Sequence, residues 1–132
     1  MEKGITFKPE NYSPLVLAYM GDAYIELLTR AYIIGNGDCN PATLNTLAKD
    51  FVTANSQSEA VERMIPHLTE EETSVYKQGR NAKSNHSPKN AAALDYRRAT
   101  GLECLFGYLF FAGRTERAAE LFFIGFLQNR QV

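Results

Sequence analysis

From Leu15 to Ile34 the chain reads LVLAYMGDAYIELLTRAYII, and a helix of that sequence is apolar on almost every side. Its charges are Asp22, Glu26 and Arg30, each four residues apart, which stacks them on one stripe, one turn above another. A helix apolar on every other side is expected to be central and buried. Ser13-Pro14 supplies an N-cap and a first-turn proline, and Gly35-Asn36-Gly37 supplies a stop. Asn40-Pro41 repeats the start signal, and Leu44, Leu47, Ala48, Phe51 and Val52 follow at helical spacing. Ser56 is expected to cap a third helix that carries Ala60, Val61, Met64 and Ile65 and ends near Pro66. Thr69 with Glu72 three residues on forms a capping box for a fourth helix, ending around Gly79. Residues 80–88, RNAKSNHSP, are expected to be a polar loop. From Lys89 or Asn90 the helical pattern resumes. It passes through Asp95-Tyr96-Arg97-Arg98 into GLECLFGYLFFAG, whose only charge is Glu103. Gly113 closes that helix. Thr115 is expected to cap a last one, whose apolar face includes Ala118, Leu121, Phe122 and Phe126. There is no strand-like alternation, repeat or linker. The expected fold is all-α, with six or seven helices, two of them central, and residues 1–132 as a single domain.

Composition changes this picture little, and charge distribution changes it more. Hydrophobic residues make up 45% and charged residues 22% of the chain, ordinary values for a globular protein. The net charge of −1 gives no hint of a polyanionic partner. Between Lys77 and Arg98, however, six basic residues (Lys77, Arg80, Lys83, Lys89, Arg97, Arg98) stand against one acid, Asp95, a net +5; with −1 overall, the rest carries −6. Such segregation is what a binding face for an anion needs. Cys39 and Cys104 form no metal or redox motif, and Cys104, in an apolar run, is expected to serve packing. The N-terminus, MEKGITFKPE, is polar and unlike a signal peptide, and three charges inside Leu15–Ile34 argue against a membrane span. A reducing, cytoplasmic setting is expected.

Two nearly apolar helices therefore each carry an embedded acid, Asp22 and Glu103. Small residues flank both: Ala18 and Gly21 near the first, Gly101 and Gly107 near the second. Small residues allow backbones to approach closely, so packing these helices together could set the two carboxylates side by side. Like charges in one site repel and raise a pKa unless a cation sits between them. Oxygen ligands without a nearby His or Cys favour Mg2+ or Mn2+ over zinc, and such an ion can activate water and steady charge on a phosphate. A structural account is also open. Glu26 and Arg30 stand in the favourable order for an ion pair, and Asp22 could belong to the same ladder. Glu103 has Ala99 and Gly107 one turn away, so no cation on its own helix meets it. In the basic segment, Arg80, Asn81, Lys83, Ser84, Lys89, Arg97 and Arg98 can all donate to phosphate oxygens. They are candidates to position a nucleic-acid backbone, double-stranded RNA in particular.

LAYMGDAYIELLTRAYII resembles the signature helix of the ribonuclease III catalytic domain, whose Leu-Gly-Asp-Ala core appears as Met20-Gly21-Asp22-Ala23. GLECLFGYLF, residues 101–110, resembles the family's second motif, in which a Glu opens an apolar stretch with a Gly four residues later. GRNAKS at 79–84, followed by Pro88-Lys89-Asn90, is similar to the Mini-ribonuclease III branch. The resemblance covers essentially the whole chain and leaves no length for the separate double-stranded-RNA-binding domain of ordinary ribonuclease III, as in the Mini branch. It implies an all-α, homodimeric endonuclease that uses Mg2+, with Mn2+ as a substitute, to cut double-stranded RNA. It also implies maturation of a large-subunit ribosomal RNA precursor, and leaves room for a ribosomal protein as a partner. Asp22 and Glu103 take the catalytic, metal-holding positions; Glu26 and Arg30 take supporting ones. Two further acids of the full pattern are replaced by Ala18 and Thr100, which leaves the number of ions open. It also keeps open a catalytically silent dimeric RNA-binding or ribosome-assembly factor.

Overall fold

The computed structural model describes residues 8–37, 40–83 and 92–128. Six α-helices lie among them: α1 Pro14–Gly35, α2 Pro41–Val52, α3 Ala54–Met64, α4 Glu70–Asn81, α5 Ala93–Phe111 and α6 Thr115–Phe122. No strand occurs among the described residues, so the all-α expectation holds.

The helix starts follow local chemistry. Ser13 Oγ accepts from Val16 N and Asn40 Oδ1 accepts from Thr43 N, each with a proline at the first helical position. Thr69 and Glu72 form the reciprocal capping box, at 3.1 and 3.0 Å. Two expected caps are displaced. Thr53, not Ser56, caps α3, and Ser56 N donates to its hydroxyl. Arg114, not Thr115, holds the N-cap position of α6, because Gly113 turns at φ +72° and the helix begins directly after it. The last helix also changes pitch: Phe123–Leu127 form a π-helical turn, and the Gly125 carbonyl accepts from Arg63 Nε at 2.7 Å.

α1 and α5 make the central contact. Leu17 faces Gly107 and Gly21 faces Glu103, so the two helices run antiparallel. α4 crosses the other side of α5, where Gly79 and Gly101 bring the backbones together. Ile25, Met64, Leu102, Leu105, Phe106, Leu109 and Leu121 are fully buried between the layers. α2 is anchored mainly by Phe51, its one buried residue, which stacks at 6.3 Å on Phe122 and 6.0 Å on Phe126. Burying one such ring contributes roughly 1.5–3 kcal/mol.

α1 departs from the fully buried helix expected of it. Leu17, Tyr24, Ile25 and Ile33 enter the core, yet Val16, Tyr19, Leu27 and Ile34 form an exposed apolar stripe, with Tyr19 84% and Leu27 62% accessible. An all-round apolar sequence therefore has one face in the core and one face on the surface. No helix among the described residues is long and apolar enough to cross a membrane.

Candidate active site

Asp22 and Glu103 come together because two glycines remove the Cβ atoms that would hold their helices apart. A Cβ at Gly21 would lie 1.6 Å from the Glu103 carbonyl oxygen, and one at Gly107 would lie 1.9 Å from that of Leu17. Any side chain at either position would clash with backbone. Glu103 is half-buried and Asp22 exposed, so the pair opens to solvent at the edge of the α1–α5 seam. Burial, together with the repulsion and hydrogen bonding of the adjacent Asp22, pushes the Glu103 carboxyl up to about 8.

That electrostatic state is the one a cation would relieve. The residues present fit a divalent ion: two carboxylates from separate rigid helices converge, one is strained toward its neutral form, and one side is open to water. No group of three or more His, Cys, Asp or Glu exists among the described residues that could hold a metal. Two carboxylates, with water and phosphate oxygens completing the shell, are a usual way to bind Mg2+. Ala18 is buried in the core, and the Thr100 hydroxyl donates to the Tyr96 carbonyl at 3.0 Å.

Glu26 and Arg30 form the expected ion pair. Arg30 Nη2 donates to Glu26 Oε1 at 2.6 Å, with the two side chains 64% and 47% accessible. Such an exposed pair contributes only about 0.2–1 kcal/mol.

The expected basic loop is divided differently. α4 continues through Asn81, so Arg80 and Asn81 belong to its last turn. Together with Lys83, Tyr96, Arg97 and Thr100 they line a cleft of about 740 Å³ between the end of α4 and the start of α5. Arg98 also borders it, but its guanidinium is engaged by α3: Nη1 donates to Glu62 Oε1 at 2.9 Å and to Ser58 Oγ at 3.4 Å. Ser84 and Lys89 lie outside the described residues.

Periodicity carried no sign of one buried ion pair. Glu72 does more than close a capping box. Both of its oxygens accept from Arg117 of α6 at 2.8 Å, and Arg117 also donates to the His67 carbonyl at 2.7 Å and pairs with Glu120. These bonds hold the buried Glu72 carboxyl below its ordinary range. Cys104 packs as expected: its thiol reaches the Val75 carbonyl at 3.5 Å, and burial pushes it up to about 12.

The Ribonuclease III domain family matches residues 15–114. The Mini-ribonuclease 3 of Brevibacillus brevis is 44% identical over 117 residues, which are 89% of this chain and 87% of the relative. That of Clostridium tetani is 46% identical over 110 residues, 83% of this chain and 73% of the relative. Among solved structures, a protein of Fusobacterium nucleatum superposes with a TM-score of 0.76 at 33% identity, covering 85% of this chain and 89% of its own.

Proposed function

The chain belongs to the ribonuclease III family, and on that premise we propose that it is a divalent-metal-dependent endonuclease of double-stranded RNA. What supports this most directly is the meeting of Asp22 and Glu103 across the Gly21–Gly107 seam, with Glu103 driven toward its neutral form. The family and the Mini-ribonuclease 3 relatives support RNA as the polymer. The α4–α5 cleft, with Arg80, Lys83 and Arg97, supports contact with a phosphate backbone.

Asp22 and Glu103 would hold Mg2+, or Mn2+ in its place. That ion supplies a water of lowered pKa and positive charge beside the phosphate. Glu103 is fixed by α5 and Asp22 by α1, so the two carboxylates keep their separation as RNA docks. Glu26 and Arg30 brace the exposed stripe of α1. Arg80, Asn81, Lys83 and Arg97 donate to phosphate oxygens and set the register of the duplex; Ser84 and Lys89 would join them. In this proposal residues 1–132 form one domain that itself binds RNA.

A second copy of the chain would cover the apolar stripe of α1. Val16, Tyr19, Leu27 and Ile34 repeat at helical spacing, so the stripe can pack against its own two-fold mate. A homodimer would then present two carboxylate pairs to one duplex, one per strand. The physiological substrate in this reading is the precursor of large-subunit ribosomal RNA in the cytoplasm, with a ribosomal protein as a further partner. The test is incubation of the purified protein with a long RNA duplex, with Mg2+ and with chelator. Cleavage in Mg2+ alone supports the proposal, and binding without cleavage in either sinks it in favour of a silent RNA-binding factor.

A further inference from the structure

The basic cleft and the carboxylate pair share one helix. Gly79, near the end of α4, is wedged onto the turn of α5 that carries Glu103. A Cβ there would lie 2.4 Å from Cys104 Cβ, 3.0 Å from Gly101 Cα and 3.1 Å from the Thr100 carbonyl oxygen. Arg80 follows directly, and it lines the cleft together with Thr100. Thr100, in the wall of the cleft, and Glu103 are three residues apart on α5, about 4.5 Å along the helix axis, so cleft wall and carboxylate leave the same stretch of α5. An RNA backbone that brings a phosphate to Glu103 would run on along the cleft that Arg80 lines.

The cationic groups of the cleft are not equivalent. Arg98 is paired with Glu62, and Lys83 and Arg97 are exposed. Arg80 is half-buried and oriented: its Nε donates to Asn81 Oδ1 at 3.1 Å, and its guanidinium carbon stands 5.8 Å from the centre of the buried Tyr76 ring. The ion pairs among the described residues use Arg30, Arg98, Arg114 and Arg117, and none neutralises Arg80. Thr100, in the cleft wall, carries no carboxylate, and its hydroxyl donates to the Tyr96 carbonyl of its own helix. An oriented, partly desolvated guanidinium without a counter-ion among the described residues, on the helix packed against the turn of α5 that carries Glu103, would act on charge that develops during reaction.

We propose that Arg80 is a catalytic residue of this site: its guanidinium contacts the non-bridging oxygens of the phosphate being cleaved and stabilises the charge that builds there. This rests on the endonuclease reading above and gives Arg80 a role in the chemistry beyond its contact with the RNA backbone. Hydrolysis forms one P–O bond from a water oxygen and breaks one P–O ester bond. The water gives a proton to solvent, the departing ester oxygen gains one from solvent, and Arg80 exchanges none. It acts by charge and by paired N–H donors, a geometry that an ammonium group does not reproduce.

The test takes wild type, Arg80→Ala and Arg80→Lys on one RNA duplex, with thermal melts to verify folding. Affinity is read in chelator and single-turnover cleavage in Mg2+. Arg80→Ala is expected to slow cleavage about 100-fold or more, the usual loss for one transition-state donor, while affinity weakens by no more than about tenfold, the loss of one phosphate contact. Added guanidinium ion is expected to restore part of the Arg80→Ala rate. Arg80→Lys, which keeps the charge, is expected to bind normally and to remain slow by at least about tenfold. It carries the test should the alanine variant not fold. Equal losses in affinity and rate would reduce Arg80 to a gripping contact and overturn the proposal, as would unchanged cleavage. If wild type binds the duplex and never cuts it, the endonuclease reading itself falls and takes this one with it.

Discussion

A Cβ placed on Gly21 would lie 1.6 Å from the backbone carbonyl oxygen of Glu103. Alanine at Gly21 must therefore separate α1 from α5 at the turn that bears both carboxylates. We expect Gly21→Ala and Gly107→Ala each to lose about 1–3 kcal/mol by overpacking, measured by urea unfolding. Gly35 has nothing within 4 Å of its would-be Cβ, so Gly35→Ala should be neutral or stabilising by up to about 1 kcal/mol. Equal behaviour of all three would contradict the close seam.

The Glu72–Arg117 pair has consequences for acid stability. Hydrogen bonds from Arg117 outweigh burial and lower the Glu72 pKa from its ordinary 4.5. A depressed folded-state pKa stabilises the fold above the unfolded value and loses that contribution as pH falls through the folded one. Wild-type stability should thus decline below about pH 4.5, and Glu72→Gln should flatten that limb while being less stable at neutral pH. Arg117→Met leaves a buried carboxylate uncompensated and should lose about 3–5 kcal/mol at pH 7.

Arg97 and Arg98 are adjacent in sequence but should respond oppositely. Arg97 is exposed at the cleft, and its replacement by Ala should weaken duplex binding and lower the salt slope by about 1, with stability unchanged. Arg98 bridges to Glu62 and Ser58, so Arg98→Ala should loosen α3 from α5 at about 1 kcal/mol and leave the salt slope nearly intact. Binding isotherms over a salt series, beside thermal melts, separate the two.

Leu27 is 62% accessible on the outer stripe of α1. Leu27→Asp should leave the fold intact and turn a dimer into a monomer by light scattering at micromolar concentration. A wild type that is monomeric throughout that range would remove the proposed dimer.

Much of the fold was legible because its start signals are local. Ser13-Pro14, Asn40-Pro41 and the Thr69–Glu72 box each place a cap and its acceptor within one turn. The acids were legible for a related reason: Asp22 and Glu103 stand out in apolar helices, and their glycine neighbours announce a close crossing. Ser56 is the expected cap of α3, but the helix begins at Ala54, so the cap falls to Thr53, whose hydroxyl accepts from Ser56 N. The outer stripe of α1 was hidden because periodicity does not distinguish a core face from an apolar face left on the surface. Arg117 was missed because its partner is 45 residues away, and Arg98 looked available because its acceptors Glu62 and Ser58 come from another helix.

The carboxylate pair is tested most directly by removing charge without changing shape. Asp22→Asn and Glu103→Gln would be compared with wild type for single-turnover cleavage of one RNA duplex in Mg2+, alongside binding of the same duplex. Wild type should cut, and each variant should bind with similar affinity but cut at least about 100-fold more slowly. Variants that cut at the wild-type rate would contradict the assignment of Asp22 and Glu103 as the site of the chemistry.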